Sequence, residues 1–261
     1  KSETAPPIAA LSVMARAADI LYLGSVTIFV ASGLTLATLG RPAVQIVAPD
    51  LVRGPSPDPF GIDPALPVAT LPQLYVQPQN LLMWALLVVL WGLLLLDGIG
   101  ECLDPSDHGP CPAWHPLTLA LAVGAAWPWL VAVHKPLATL GALLMLTAAL
   151  SGAIRARGQR RPAPAFLAGW SLALGTATLA TLIGAPLSLT TPQTAILAIL
   201  PGAVIGMIAQ ERLNRSLGFS LAIIWAFCAV AVSTMASNPG VALAAIIGIS
   251  GMGVVLVRAA T

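Results

Sequence analysis

Apolar and polar positions are segregated into long blocks along this chain. Eight apolar runs stand out, at roughly 18–39, 80–96, 116–133, 136–154, 165–186, 192–209, 218–235 and 241–257. Each is about 17–25 residues long, the length a helix needs to cross a bilayer. None has the strict in–out alternation of a membrane-barrel strand. The pattern predicts an all-α fold, a polytopic integral membrane bundle of about eight transmembrane helices. Pro116, Pro136, Pro192 and Pro239 stand at or near the starts of runs. Proline fits there because the first-turn N–H has no helical partner in any case. Pro128 and Pro201 fall inside runs, where a bend is expected.

The polar blocks are less regular. Residues 1–17 read as a polar N-terminal tail. Lys1 to Pro7 does not look like a signal peptide, because no apolar stretch with a small-residue cleavage site follows. The first loop, 40–79, holds nine prolines and little helical periodicity. It joins adjacent spans, so a linker role is disfavoured. A partly ordered lid on the outer face is preferred to a disordered stretch.

Composition sharpens this picture. Only 8% of residues are charged, against about 25% in soluble domains, which excludes an ordinary soluble fold. The net charge of +2 and the lack of a basic stripe interleaved with aromatics exclude a nucleic-acid partner. With eight spans both termini share a side. That side holds Lys1, Arg16, Arg155, Arg157, Arg160, Arg161, Arg212, Arg215 and Arg258, and the other holds Arg41, Arg53 and Lys135. Nine against three places both termini on the cytoplasmic-type side, in a bacterial inner membrane or a plastid or mitochondrial membrane. The span centres carry no ionisable side chain, which argues against proton pumps, ion-coupled carriers and voltage sensors.

Candidate chemistry is sparse. No catalytic motif is present, and no enzyme activity is expected. The segment 101–115 contains Cys102, Cys111, His108 and His115. The nine-residue cysteine separation does not fit the close spacing of structural zinc sites, so no metal is expected. Two free thiols are favoured, with a Cys102–Cys111 disulfide as the alternative. His115 and His134 are candidate axial ligands for a haem or chlorophyll, weighed against a commoner interfacial role. Gly202 with Gly206, and Ala244 with Gly248, have the small-residue spacing of close helix contacts. Intramolecular packing is favoured over a dimer face.

Tryptophan carries the most specific signal. Trp84, Trp127 and Trp170 fall in or at the edge of three different apolar runs. Indoles there can wall a ligand site or anchor a helix at the headgroups. The order of features is a first helix, a proline-rich loop, Met83-Trp84-Ala85 in the second helix, Gly124-Ala125-Ala126-Trp127-Pro128-Trp129 in the third, a short turn and an aliphatic fourth. Gly169-Trp170-Ser171 in the fifth is followed by small and hydroxyl residues, and Ile224-Trp225-Ala226 lies in a late helix. This order resembles the TspO family, the tryptophan-rich sensory proteins also called peripheral benzodiazepine receptors, and more closely its longer members. The family's cleft asparagines correspond here to Gly124 or Ala125 and to Thr178 or Leu182.

The resemblance implies a five-helix core over 18–190 and three additional membrane helices over 191–261. It implies a cleft under the first loop that takes a flat hydrophobic molecule, a tetrapyrrole such as haem, porphyrin or chlorophyll, a sterol, or a lipid. Its walls would include Trp84, Trp127, Trp129 and Trp170. Bilayer lipids would be the remaining contacts. The competing expectation is a non-catalytic accessory subunit of a larger photosynthetic or respiratory membrane complex, touching neighbouring subunits, pigments or lipids.

Overall fold

A computed structural model describes residues 8–39, 70–78, 80–103, 114–159, 161–213 and 216–260. Among them the regular structure is helical: α1 (Ile8–Leu39), α2 (Leu71–Leu74), α3 (Leu81–Leu103), α4 (Trp114–Val133), α5 (Lys135–Arg155), α6 (Pro162–Gly184), α7 (Thr191–Leu213), α8 (Leu217–Thr234) and α9 (Pro239–Ala260). Each expected span coincides with one long helix. Seven are long and apolar enough to cross a membrane, and the apolar part of α4, His115–Val131, is shorter. The chain is an all-α, polytopic membrane bundle. Pro128 and Pro201 lie inside α4 and α7 as expected.

Two boundaries differ from expectation. The first helix starts at Ile8, so most of the supposed tail is helical. Its Ala-rich run, Ala9-Ala10-Leu11 through Ala15-Arg16-Ala17-Ala18, favours a helix whether or not it lies in lipid. The second long helix runs on to Leu103, past Asp97 and Glu101. These carboxylates sit one turn apart on one face, and both pair with Arg161, so their charge does not halt the helix. Glu101 and Cys102 are therefore helical rather than part of a loop.

The helices close into two rings that share α6. α1 packs on α3 and α4, α4 on α5, α5 on α6, and α6 on α3, which makes a ring of five. α6 also packs on α7 and α8, and α9 lies against both, which makes a ring of four. The shared helix is 78% buried over its apolar window, against 22% for α1. Small side chains make this double contact feasible. A Cβ on Gly169 would lie 2.5 Å from the Phe219 carbonyl oxygen of α8. On the neighbouring face of α6, a Cβ on Gly202 of α7 would lie 2.9 Å from Thr176 Oγ1. Gly206 faces Ile223 and Met252, and Gly248 faces the Phe227 ring. The small-residue pairs thus serve packing inside this chain.

Polar ties between the rings are few and specific. Asn80 accepts the Met83 N–H at 2.7 Å, capping α3, and its amide donates to the Ala229 carbonyl of α8 at 2.8 Å. Trp225 Nε1 donates to the Leu82 carbonyl at 3.1 Å. Outward faces carry Ile20 and Ile28 of α1, Leu140 of α5, Ile208 of α7 and Val254 of α9, all well exposed. An apolar exterior of this kind is what lipid solvates, and it would be a liability in water.

Candidate ligand cleft

One end of the five-helix ring is stopped by the segment 70–78. Thr70 starts it with a reciprocal cap. Its backbone N–H donates to Gln73 Oε1 at 3.0 Å, while Pro72 sits in the first turn. Leu71, Leu74 and Tyr75 are buried, and α2 rests on α6. Burial pushes the Tyr75 phenol above its ordinary pKa, so it stays neutral. This is the described portion of the proline-rich loop, and it seats as a plug. Residues 40–69 lie outside the described residues.

Beneath the plug is a cavity of about 350 Å³ between α1, α4, α5 and α6. Its apolar wall includes Leu36, Val76, Trp127, Pro128 and Leu182. Its polar rim includes Gln73, Lys135, Thr139, Thr178 and Thr181. Trp127 is fixed in place: it is 2% exposed, and its indole N–H donates to the Ala138 carbonyl of α5 at 2.7 Å. A Cβ on Gly141 of α5 would meet the Trp127 ring at ordinary contact distance, 3.6 Å, so this packing does not depend on the glycine.

A second, much smaller cavity of about 20 Å³ lies deeper in the ring. It shares Val76, Trp127 and Pro128 with the first and adds Phe29, Trp91 and Trp170. Trp170 meets Phe29 edge-on, with ring centroids 5.9 Å apart. A third cavity of about 180 Å³ continues outward towards α7 and shares Thr70, Lys135 and Thr181 with the first.

The expected wall residues therefore separate. Trp127 lines the main cavity and Trp170 the deep one. Trp84 is half-buried against the core and borders neither. Trp129 is 59% exposed, on the side of α4 away from Trp127. Of the positions matched to the family's asparagines, Thr178 and Leu182 line the main cavity and Gly124 the deep one. Trp91 and Lys135 are cleft residues that the sequence pattern does not single out, whereas residues 70–78 belong to the loop expected to form a lid. A hint for Trp91 was available: it lies seven residues after Trp84, two turns along the same helix.

The candidate axial ligands stand apart. His115 and His134 sit at opposite ends of α4, both exposed. His134 is the N-cap position of α5, and its backbone carbonyl accepts the Ala138 N–H at 2.9 Å. Cys102 Sγ donates to the Asp19 carbonyl at 3.7 Å. The disulfide alternative involves Cys111, which lies outside the described residues.

The opposite end of the bundle is polar. Arg161, at the N-cap of α6, donates to Asp97 Oδ1 and Oδ2 at 2.8 and 2.6 Å and meets Glu101 at 2.5 Å. Tyr22 of α1 donates to Asp97 Oδ2 at 2.7 Å. Burial alone would lower the Arg161 pKa. The hydrogen bonds and charge of Asp97, with the charge of Glu101, outweigh it and raise the pKa instead. A groove of about 800 Å³ opens beside this network, lined by Arg157, Arg161 and mostly small residues. It is the larger space, but Arg161 is occupied by the carboxylates, and Arg157 donates to the carbonyls of Ile154 and Arg212 at 3.0 and 2.7 Å. The network joins α1, α3 and α6, which is a structural task.

The chain is thus an integral membrane bundle with an ion-paired polar end and a plugged, aromatic-floored cleft at the other. No protein-family model, no curated protein and no solved structure matches it.

Proposed function

We propose that this protein binds, or moves across part of the bilayer, a flat hydrophobic molecule held in the cleft under residues 70–78. The observation that carries this is the 350 Å³ cavity with Trp127 locked into its wall. That volume is in the range of small-molecule sites, and apolar walls with a few convergent polar groups are their usual lining. The ring of five helices, stopped at one end by residues 70–78, supports this reading. On this reading the positive-inside rule puts the termini on the cytoplasmic-type side and the cleft on the outer face. The chemistry is binding without catalysis.

Tryptophan fluorescence tests this. Protoporphyrin added to the purified protein in lipid nanodiscs should quench saturably, because Trp127 lies at the site. Thr181→Phe, which fills the cavity from α6, should abolish saturation. Non-saturating quenching that is the same in both proteins would contradict the proposal. Co-migration with a large membrane complex, together with that result, would favour the accessory-subunit alternative.

A further inference from the structure

We infer that the ligand is an amphipathic anion, whose apolar body lies against Trp127 and Pro128 and whose oxyanion end, a carboxylate or phosphate, is held by Lys135 and Gln73. This rests on the cleft being a ligand site. It adds the class of ligand that the cleft selects.

The argument is an account of donors. Four groups at the cleft have already spent their hydrogens. Thr139 Oγ1 donates to the Lys135 carbonyl at 3.0 Å, Thr178 Oγ1 to the Gly175 carbonyl at 2.9 Å, and Thr181 Oγ1 to the Ala177 carbonyl at 2.8 Å. The Trp127 N–H is committed to Ala138. A hydroxyl has one hydrogen to give, so these groups offer a ligand only lone pairs.

Lys135, Gln73, Gln77 and the Thr70 hydroxyl keep donors, and of these only Lys135 is charged. The Gln73 carboxamide accepts the Thr70 N–H through Oε1, which fixes that oxygen and leaves the Nε2 hydrogens for another partner. Lys135 makes no ion pair with a described carboxylate, and its ammonium carries three donors and no acceptor. Lys135 also lines both the 350 and the 180 Å³ cavities, so it stands at the seam between them. A ligand lying in the larger cavity would bring one end to that seam. A cationic donor at that seam suits an anionic oxygen over a hydroxyl or a neutral ester, because a charge-assisted bond is about twice as strong as a neutral one.

Protoporphyrin IX and its dimethyl ester test this, since they share a ring and differ in charge. Wild-type protein in nanodiscs of neutral lipid should bind the acid about tenfold more tightly than the ester, the size expected of one charged hydrogen bond. Lys135→Met should bring the acid-to-ester ratio close to one, and Lys135→Arg should keep most of the preference. Equal binding of acid and ester by wild type, or a preference that survives in Lys135→Met, would overturn the inference while leaving the cleft as a ligand site. Binding of neither compound would remove the cleft reading and this inference with it. Competition by phosphatidic acid separates the two sources of oxyanion. Displacement of the acid points to a lipid headgroup, and no displacement to a free carboxylate.

Discussion

Arg161 grips Asp97 with two hydrogen bonds, Nε to Oδ1 at 2.8 Å and Nη2 to Oδ2 at 2.6 Å. The fork joins the start of α6 to the last turns of α3, and Tyr22 extends it to α1. Asp97 is only 7% exposed, so removing its partner would strand a charge away from water. Arg161→Ala should lower stability by about 3 kcal/mol, at the low end of values for breaking a buried pair. Arg161→Lys should recover only part of this, because an ammonium cannot make the same fork. Thermal unfolding in detergent measures both. An unchanged melting temperature in Arg161→Ala would show that the pair contributes nothing.

The double role of α6 depends on Gly169, whose missing Cβ admits the Phe219 backbone of α8. Gly169→Ala sets a methyl group against a carbonyl oxygen that cannot swing aside. It should cost about 1–3 kcal/mol, as overpacking does. Gly92→Ala is the control: nothing lies within 4 Å of its added Cβ, and alanine's better helix propensity should make it neutral or stabilising by up to about 1 kcal/mol. Equal melting temperatures for the two variants would mean that α6 and α8 do not meet this closely.

What could be read from the sequence follows the range of each interaction. Each long helix announced itself because the length and hydropathy of a run are local properties. Arg161 gave no such sign, since its carboxylate partners lie about sixty residues earlier in the chain and only the fold brings them together. α6 was likewise hard to recognise as the shared wall. Its Ala, Gly, Ser and Thr content is the highest of the long helices, but composition alone does not say which neighbours lie on its two sides. Trp127 was legible as a site candidate and lines the main cavity. Trp84, whose place near a span start also suits an interface anchor, lies outside both cavities, because the sequence shows which helix carries an indole but not which way it faces. Lys135 enters the sequence reading only as a span-end charge, and the placement of α2 and α6 makes it a cleft residue.

Alkaline pH should loosen the plug. The folded-state pKa of Tyr75 is raised by burial, so the neutral phenol is what the folded protein holds. Its contribution to stability is complete below about pH 10, the unfolded value, and is lost as pH climbs from there towards the folded value. Tyr75→Phe should remove this part of the decline. Melting temperatures compared from pH 8 to 11 should fall less steeply in the variant than in wild type. Parallel curves would mean that Tyr75 is hydrated and not buried.

The position of a bound molecule tests the central claim most directly. A flat apolar probe carrying a diazirine, photolysed in nanodiscs and mapped by mass spectrometry, should leave adducts at Val76, Val131, Thr139 and Thr181 around the cleft. Excess unlabelled protoporphyrin should suppress them. Adducts confined to lipid-facing positions such as Trp129, Leu140 and Ile208, and insensitive to competitor, would contradict a ligand site under residues 70–78.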